Sequence, residues 1–315
     1  VSGRTYQPLA ESIASELSVN LGEPNLAEFA NGEVHCRFSE SIRGCDVFIV
    51  QTHSGSADAS INDSLMEQLI MVDAARRASA KRITVVCPAY GYGRQDRKAS
   101  GREPITAKLV ANLFKEAGAS RLVSVDLHSG QTQGFFDGPV DHLTAMPVLV
   151  ERLSSLNGDL TIVSPDAGRV KVAERYAMTL GAELAIVHKR RSHSSFNTVE
   201  AREVVGDVVG RVCILVDDMI DTAGTICSAA EQLSERGASQ IVAAATHGVF
   251  SGPASERLSA SPIEKIIVTD TLPLPENMQT DKVEVLSVAP LIAEAIRAVF
   301  EDTSVSEIFG GNNLV

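Results

Sequence analysis

The sequence predicts an α/β fold in two similar halves, each a mainly parallel sheet flanked by helices. Three observations carry that expectation. Short apolar runs of strand length alternate with longer segments of helical period along the chain. Polar residues able to do chemistry stand just past several of those runs, where open parallel sheets bind ligands. The 315 residues also suffice for two domains of ordinary size, with Met146-Pro147 as the expected boundary.

In the first half a helix is expected over 60–78, with Leu65, Leu69 and Val72 on one face. A strand over 83–87 stops at Pro88. Pro104 opens a helix that carries Ile105, Leu109 and Leu113 inward and ends near Gly118. A strand over 122–125 then leads into Asp126-Leu127-His128. In the second half, strands are expected over 160–163, 184–187, 212–216, 241–245 and 265–268. A helix over 226–236 is closed by Gly237, an amphipathic helix covers 291–300, and 310–315 is a loose tail.

The balance of charge narrows the function. Formal net charge is −12 and 22% of residues are charged, which argues against a general nucleic-acid surface. An anionic substrate therefore needs local basic clusters or a divalent ion. No apolar run approaches the roughly 18 residues of a membrane span, and no signal-peptide pattern is evident. Five scattered cysteines without a C-x-x-C read as reduced thiols of a cytoplasmic protein, and the seven histidines lack zinc-site spacing.

The most informative stretch follows the run over 212–216. Two adjacent carboxylates, Asp217 and Asp218, precede a small hydroxyl-rich loop, Asp221-Thr222-Ala223-Gly224-Thr225, and then a helical pattern. Small residues let backbone N–H groups close around an anion, and the helix N-terminus adds a favourable dipole. The carboxylates can hold sugar hydroxyls directly or through a metal ion. A plain turn and N-cap is the bland alternative.

Elsewhere, Tyr90-Gly91-Tyr92-Gly93-Arg94-Gln95-Asp96-Arg97-Lys98 packs three cations into five residues without completing a dinucleotide or P-loop motif. It suits polyphosphate, or is a solvated basic loop. His188-Lys189-Arg190-Arg191-Ser192-His193 is the densest basic cluster, suited to charge on transferred phosphorus oxygens or to an ordinary turn. The stretch 194–203 after it shows little strand or helix pattern. His128 and Asp166 stand at strand ends and could share a metal, although a lone His is more often a core residue. Phe29-Ala30-Asn31-Gly32-Glu33 offers a purine an aromatic face with polar edges, or is simply an Asn-Gly turn.

Residues 214–225 resemble the phosphoribosyl-pyrophosphate (PRPP) motif. Gly93-Arg94-Gln95-Asp96-Arg97-Lys98, Asp126-Leu127-His128-Ser129 and Lys189-Arg190-Arg191 precede it in order, and Thr246-His247-Gly248-Val249-Phe250-Ser251-Gly252-Pro253 follows. Together they are similar to ribose-phosphate pyrophosphokinases of the phosphate-activated class over nearly the whole chain. The resemblance implies two type I phosphoribosyltransferase-like domains. One covers 1–146 on the ATP side, with the tail from about 299 to 315 packed on it, and the other 147–298 on the ribose 5-phosphate side. It implies transfer of the β,γ-diphosphoryl group of ATP to the 1-hydroxyl of ribose 5-phosphate, with Mg²⁺ as cofactor.

By the same resemblance Phe29, Asn31 and Glu33 would hold adenine in a site completed by a neighbouring subunit. Arg94, Gln95 and Asp96 would meet ATP, and His128 and Asp166 would take part in the Mg-ATP site. Lys189 and Arg191 would be the catalytic pair on a closing loop. Asp217, Asp218 and Asp221, Thr222, Ala223, Gly224 and Thr225 would receive ribose 5-phosphate. A homohexamer activated by phosphate and inhibited by ADP is implied, with no nucleic-acid or membrane partner. Four positions depart from commoner versions: Asn31 for Asp, Arg169 in Gly168-Arg169 for Gly-Gly, and Ser192-His193 for Pro-Arg. A phosphoribosyltransferase would need the same cup but not the ATP-side segments. A catalytically dead regulatory homologue would be expected to show altered loops or a DNA-binding extension.

Overall fold

The computed structural model describes residues 1–55, 60–190 and 201–309, with backbone alone for 189, 190, 201 and 202. The chain divides into two compact units. The first comprises Val1–Ala145, Thr271–Pro273 and the described residues from Ser287; the second comprises Met146–Asp270 and Leu274–Leu286.

The first unit opens with α1 (Gln7–Glu16), the antiparallel hairpin β1 (Pro24–Glu28) and β2 (Val34–Phe38), and β3 (Asp46–Val50). It continues through α2 (Ile61–Arg77), β4 (Arg82–Cys87), α3 (Thr106–Ala117), β5 (Arg121–Val125) and β6 (Val140–Leu143). Strands β3 to β6 form one parallel sheet in sequential order. Ser60 starts α2 with a capping box, its side chain accepting from the Asp63 N–H while Asp63 reaches back to the Ser60 N–H. On one sheet face Ile49, Val85 and Leu122 meet Met71 and Val72 of α2 and Phe114 of α3.

The helix over α3 corrects the expected packing. Ile105, Leu109 and Leu113 are exposed, while Ala107, Val110, Ala111 and Phe114 are buried. The segment carries two apolar stripes, and the one with two alanines lets the helix backbone approach the sheet more closely.

The second unit runs α4 (Met146–Leu153), β7 (Leu160–Ser164), α5 (Val170–Leu180), β8 (Glu183–Arg190), β9 (Ala201–Val205) and β10 (Val212–Ile220). Then come α6 (Gly224–Glu235), β11 (Gln240–Gly248), α7 (Ala254–Ala260), β12 (Lys265–Thr269) and β13 (Val283–Leu286). Its seven-stranded sheet has the order β13-β12-β11-β10-β7-β8-β9, parallel except for β9 against β8. Residues 201–203 are therefore strand where the sequence showed no pattern. Strand β10 extends to Ile220, four residues past the expected end at Val216, because β11 pairs with it as far as Gly248. Asp217 and Asp218 accordingly belong to a strand, not to a loop.

Four sequential parallel strands with two helices and a 3₁₀ turn between them occur in both units, as β3 to β6 and as β10 to β13. A helix follows each run: α4 after β6, and α8 (Ala289–Phe300) after β13. The closing helices are exchanged. Helix α4 packs on α5 and β11, whereas α8 packs on α1 and β6. The fully or nearly buried Leu291, Ile292 and Ile296 of α8 meet Leu9 and Ile13 there. Each such side chain contributes about 1.5–3 kcal/mol by leaving water. Residues 287–298, expected with the second domain, thus belong to the first unit. The expected loose tail, 310–315, lies outside the described residues.

Candidate active site

In the second unit the order of strands reverses between β7 and β10, the position where parallel sheets open a crevice at their carboxyl ends. The end of β7 supplies Asp166, expected at the Mg-ATP site, and the end of β10 supplies the expected pentose-side residues. After β7, a 3₁₀ turn at Ala167–Arg169 is capped by Asp166, whose Oδ1 accepts the Gly168 N–H at 2.8 Å. That turn delivers Arg169 to the acidic pair. Its Nε lies 3.2 Å from Asp217 Oδ1 and a terminal nitrogen 2.6 Å from Asp218 Oδ2. The Asp218 N–H donates to Asp217 Oδ1 at 2.8 Å. Burial first, then the neighbouring Asp218 carboxylate, push the Asp217 carboxyl up to about 8 against the opposing pull of Arg169.

Past Ile220 the chain turns sharply. The Ile220 carbonyl accepts N–H groups from both Val249 and Phe250 at 3.0 Å, and Asp221 takes the Ser251 hydroxyl. Ala223 sits in the left-handed region (φ 59°, ψ 5°), so the backbone curls before α6 begins at Gly224. Arg257 donates to the Thr222 carbonyl at 2.9 Å and fixes the outer rim. Among the described residues no side chain caps α6, and its N-terminus, beside the exposed Thr222 and Thr225, suits an anion. A cavity of about 450 Å³ is lined by Asp166, Gly168, His188 and Thr225 among others.

The first unit holds the expected nucleotide-side residues. Phe29, Asn31 and Glu33 form the tip of the β1/β2 hairpin, where the Phe29 N–H donates to the Glu33 carbonyl at 2.9 Å. Gly32 takes a positive φ of 86°, and the Glu33 N–H donates to the Asn31 side chain at 3.3 Å. Phe29 is 57% exposed and meets His35 edge-on. Gln95 is held by the Thr106 hydroxyl at 2.5 Å and through its N–H to the Tyr92 carbonyl, while the Arg94 side chain is exposed. His128 follows β5, half-buried beside Gly93.

Sequence reading missed what holds this basic loop in place. His53 is buried, stacked on Phe114, and its Nδ1 accepts the Gly91 N–H at 2.9 Å. Its Nε2 therefore carries the proton and meets Gln68 Oε1 at 2.8 Å; Gln68 in turn donates to the Ile49 carbonyl at 3.0 Å. Burial pushes the imidazole down to about 4, so it is neutral at neutral pH. A Cβ on Gly91 would come within 2.9 Å of His53 Cβ, which is why the loop needs glycine there. A lone histidine in a polar stretch, Gln51-Thr52-His53-Ser54, gave no signal of this role. Arg169 was visible only as a departure from a motif.

The structure thus gathers Asp166, Asp217, Asp218 and residues 221–225 in the second unit, and Phe29, Asn31, Glu33, Arg94, Gln95, Asp96 and His128 in the first. The expected metal pair, His128 and Asp166, is divided between them. Among the described residues no group of three or more His, Cys, Asp or Glu is arranged to hold a metal ion. Lys189 lies in the backbone of β8, opposite Arg202, and Arg191, Ser192 and His193 lie outside the described residues.

Comparison with known proteins bears on both units. Residues 1–118 match the N-terminal domain of ribose phosphate pyrophosphokinase, and residues 200–310 match the phosphoribosyl synthetase-associated domain. The ribose-phosphate pyrophosphokinase of Streptomyces avermitilis is 55% identical over 310 residues, covering 98% of this chain and 94% of the relative. That of Mycobacterium tuberculosis is 51% identical over 314 residues, covering 99% and 95%. The crystal structure of phosphoribosylpyrophosphate synthetase from Mycobacterium smegmatis superposes with a TM-score of 0.89 at 52% identity, covering 96% of this chain and 98% of that one. By fold and by sequence over nearly its whole length, the chain belongs to the ribose-phosphate pyrophosphokinase family.

Proposed function

We propose that the chain is a ribose-phosphate diphosphokinase, moving the β,γ-diphosphoryl group of ATP to the 1-hydroxyl of ribose 5-phosphate to give PRPP and AMP. PRPP so formed feeds nucleotide, histidine and tryptophan biosynthesis. The observation that carries this reading is the cup at the end of β10: an acidic pair fixed in the strand, then a curled backbone opening into an uncapped helix. The α6 N–H groups with Thr222 and Thr225 receive the 5-phosphate, and Asp217 and Asp218 receive pentose hydroxyls. Phe29, Asn31 and Glu33 take adenine, and their exposure on a hairpin tip accords with a site completed by a second subunit. Arg94, Gln95 and Asp96 meet the nucleotide.

Lys189 and Arg191 stabilise charge on the transferred group, a role worth roughly 10³–10⁵ in rate for the arginines of other phosphoryl-transfer enzymes. Bound Mg²⁺ neutralises the triphosphate. Asp166, with its carboxylate on a cavity, is the hard oxygen donor that suits an ion keeping most of its water and phosphate ligands, and His128 lies on the nucleotide side.

The same reading makes the enzyme a cytoplasmic homohexamer, activated by phosphate and inhibited by ADP. A cavity of about 570 Å³ in the first unit is lined by Arg37 and Arg43, which offer donors for such an anion, with Glu40 and the Arg77–Asp73 ion pair beside them. Among the described residues no helix is long and apolar enough to cross a membrane. The test is AMP release from ATP and Mg²⁺ with and without ribose 5-phosphate and inorganic phosphate. AMP that appears only with the pentose supports the reading; consumption of PRPP with a base and no AMP release removes it.

A further inference from the structure

Arg169, at the end of the 3₁₀ turn after β7, meets both carboxylates of the acidic pair at once, one nitrogen to each. All three side chains are largely buried: Arg169 is 18% exposed, Asp217 19% and Asp218 8%. At neutral pH the Asp217 carboxyl keeps its proton, so the pair carries about one negative charge, and away from water that charge needs a cation beside it. Divalent ions are the usual partners of such oxygen pairs. A guanidinium does the same work here, and its planar fork fixes the direction of each carboxylate as a spherical ion would not.

We propose that Arg169 is the built-in counter-cation of Asp217 and Asp218: it keeps a divalent ion off the pair and leaves the carboxylates to take sugar hydroxyls directly. A guanidinium contact leaves each carboxylate with further lone pairs for neutral donors. Arg169 is thus a positioning residue, acting on the pentose through the two aspartates. The pentose part rests on the proposed diphosphokinase reading; the exclusion of the ion does not.

The test uses the whole enzyme and Mn²⁺ alone, followed by electron paramagnetic resonance without nucleotide. Arg169→Gly is expected to gain a Mn²⁺ site that wild type lacks, and that site should vanish when Asp217→Asn and Asp218→Asn are added. Arg169→Lys, which retains a charge and guards against a variant that fails to fold, should gain none. The idea is overturned if Arg169→Gly gains no ion, or if the two Asn substitutions remove a Mn²⁺ that wild type already binds.

Calorimetry in chelator supplies the second readout. Ribose 5-phosphate should bind Arg169→Gly about tenfold more weakly than wild type, the size of one charge-assisted hydrogen bond, and added Mn²⁺ should restore it. Unchanged affinity in chelator would overturn the positioning role. If wild type itself bound no ribose 5-phosphate, the diphosphokinase reading would fall while the ion titration still judged Arg169.

Discussion

The Asp217 carboxyl, held up to about 8 by burial and by Asp218, binds its proton more tightly in the fold than in the unfolded chain. Between its ordinary value of 3.8 and about 8 the folded state therefore carries the extra proton, and stability falls as pH rises through that window. Urea titrations from about pH 5 to 9 should show this slope, and Asp217→Asn should flatten it; equal slopes would show that the pair titrates normally. His53 makes a separate prediction. Replacing it with Ala leaves the buried Gly91 N–H without its acceptor, at about 1–3 kcal/mol, while Gln68 Oε1 keeps only the Cys87 thiol. Melting should register that loss, and KM for ATP should rise more than KM for ribose 5-phosphate. Equal effects on both would make His53 structural only. Lys189→Ala, under the proposed reading, should lower turnover by roughly 10³-fold or more with little change in either KM. Near-normal turnover in rapid-quench measurements would take Lys189 out of the chemistry.

Among elements, strands were the most legible, because fully buried parallel strands read as continuous apolar runs: 83–87 and 122–125 lie within β4 and β5. The hairpin β1/β2 was not seen as strands, since its residues are only half buried and its sequence, Pro24–Glu28 and Val34–Phe38, mixes charge with apolar side chains. The inward face of α3 was misread because helical period alone cannot choose between two apolar stripes; the sheet chooses by closeness of approach. The extent of β10 depended on its partner β11, which no local pattern around Asp217 reveals. Of the candidate site, the cup and the nucleotide-side residues were legible as motif, whereas Arg169 and His53 act through contacts distant in sequence. Helix α8 carries the prediction at this scale. Ile292 is fully buried against the first unit, so Ile292→Ala should cost about 2–5 kcal/mol in urea unfolding. A loss well under 1 kcal/mol would mean that the helix packs loosely.

For the molecule as a whole, the exchange of closing helices sets what can fold alone. A fragment of residues 1–145 retains the parallel sheet β3 to β6 but lacks α8, leaving Leu9, Ile13 and Leu143 without the apolar face that covers them. Expressed alone, it should bind hydrophobic dye and melt without a sharp transition; a soluble fragment with cooperative melting would show that α8 is dispensable. Division into two halves was legible in the repeating pattern of strands and helices. The exchange was not, because nothing in an amphipathic helix says which sheet it will cover. A cut after Ala145 would leave the helix that the first unit needs on the other piece, so severing the chain there should cost more than the loss of one peptide bond.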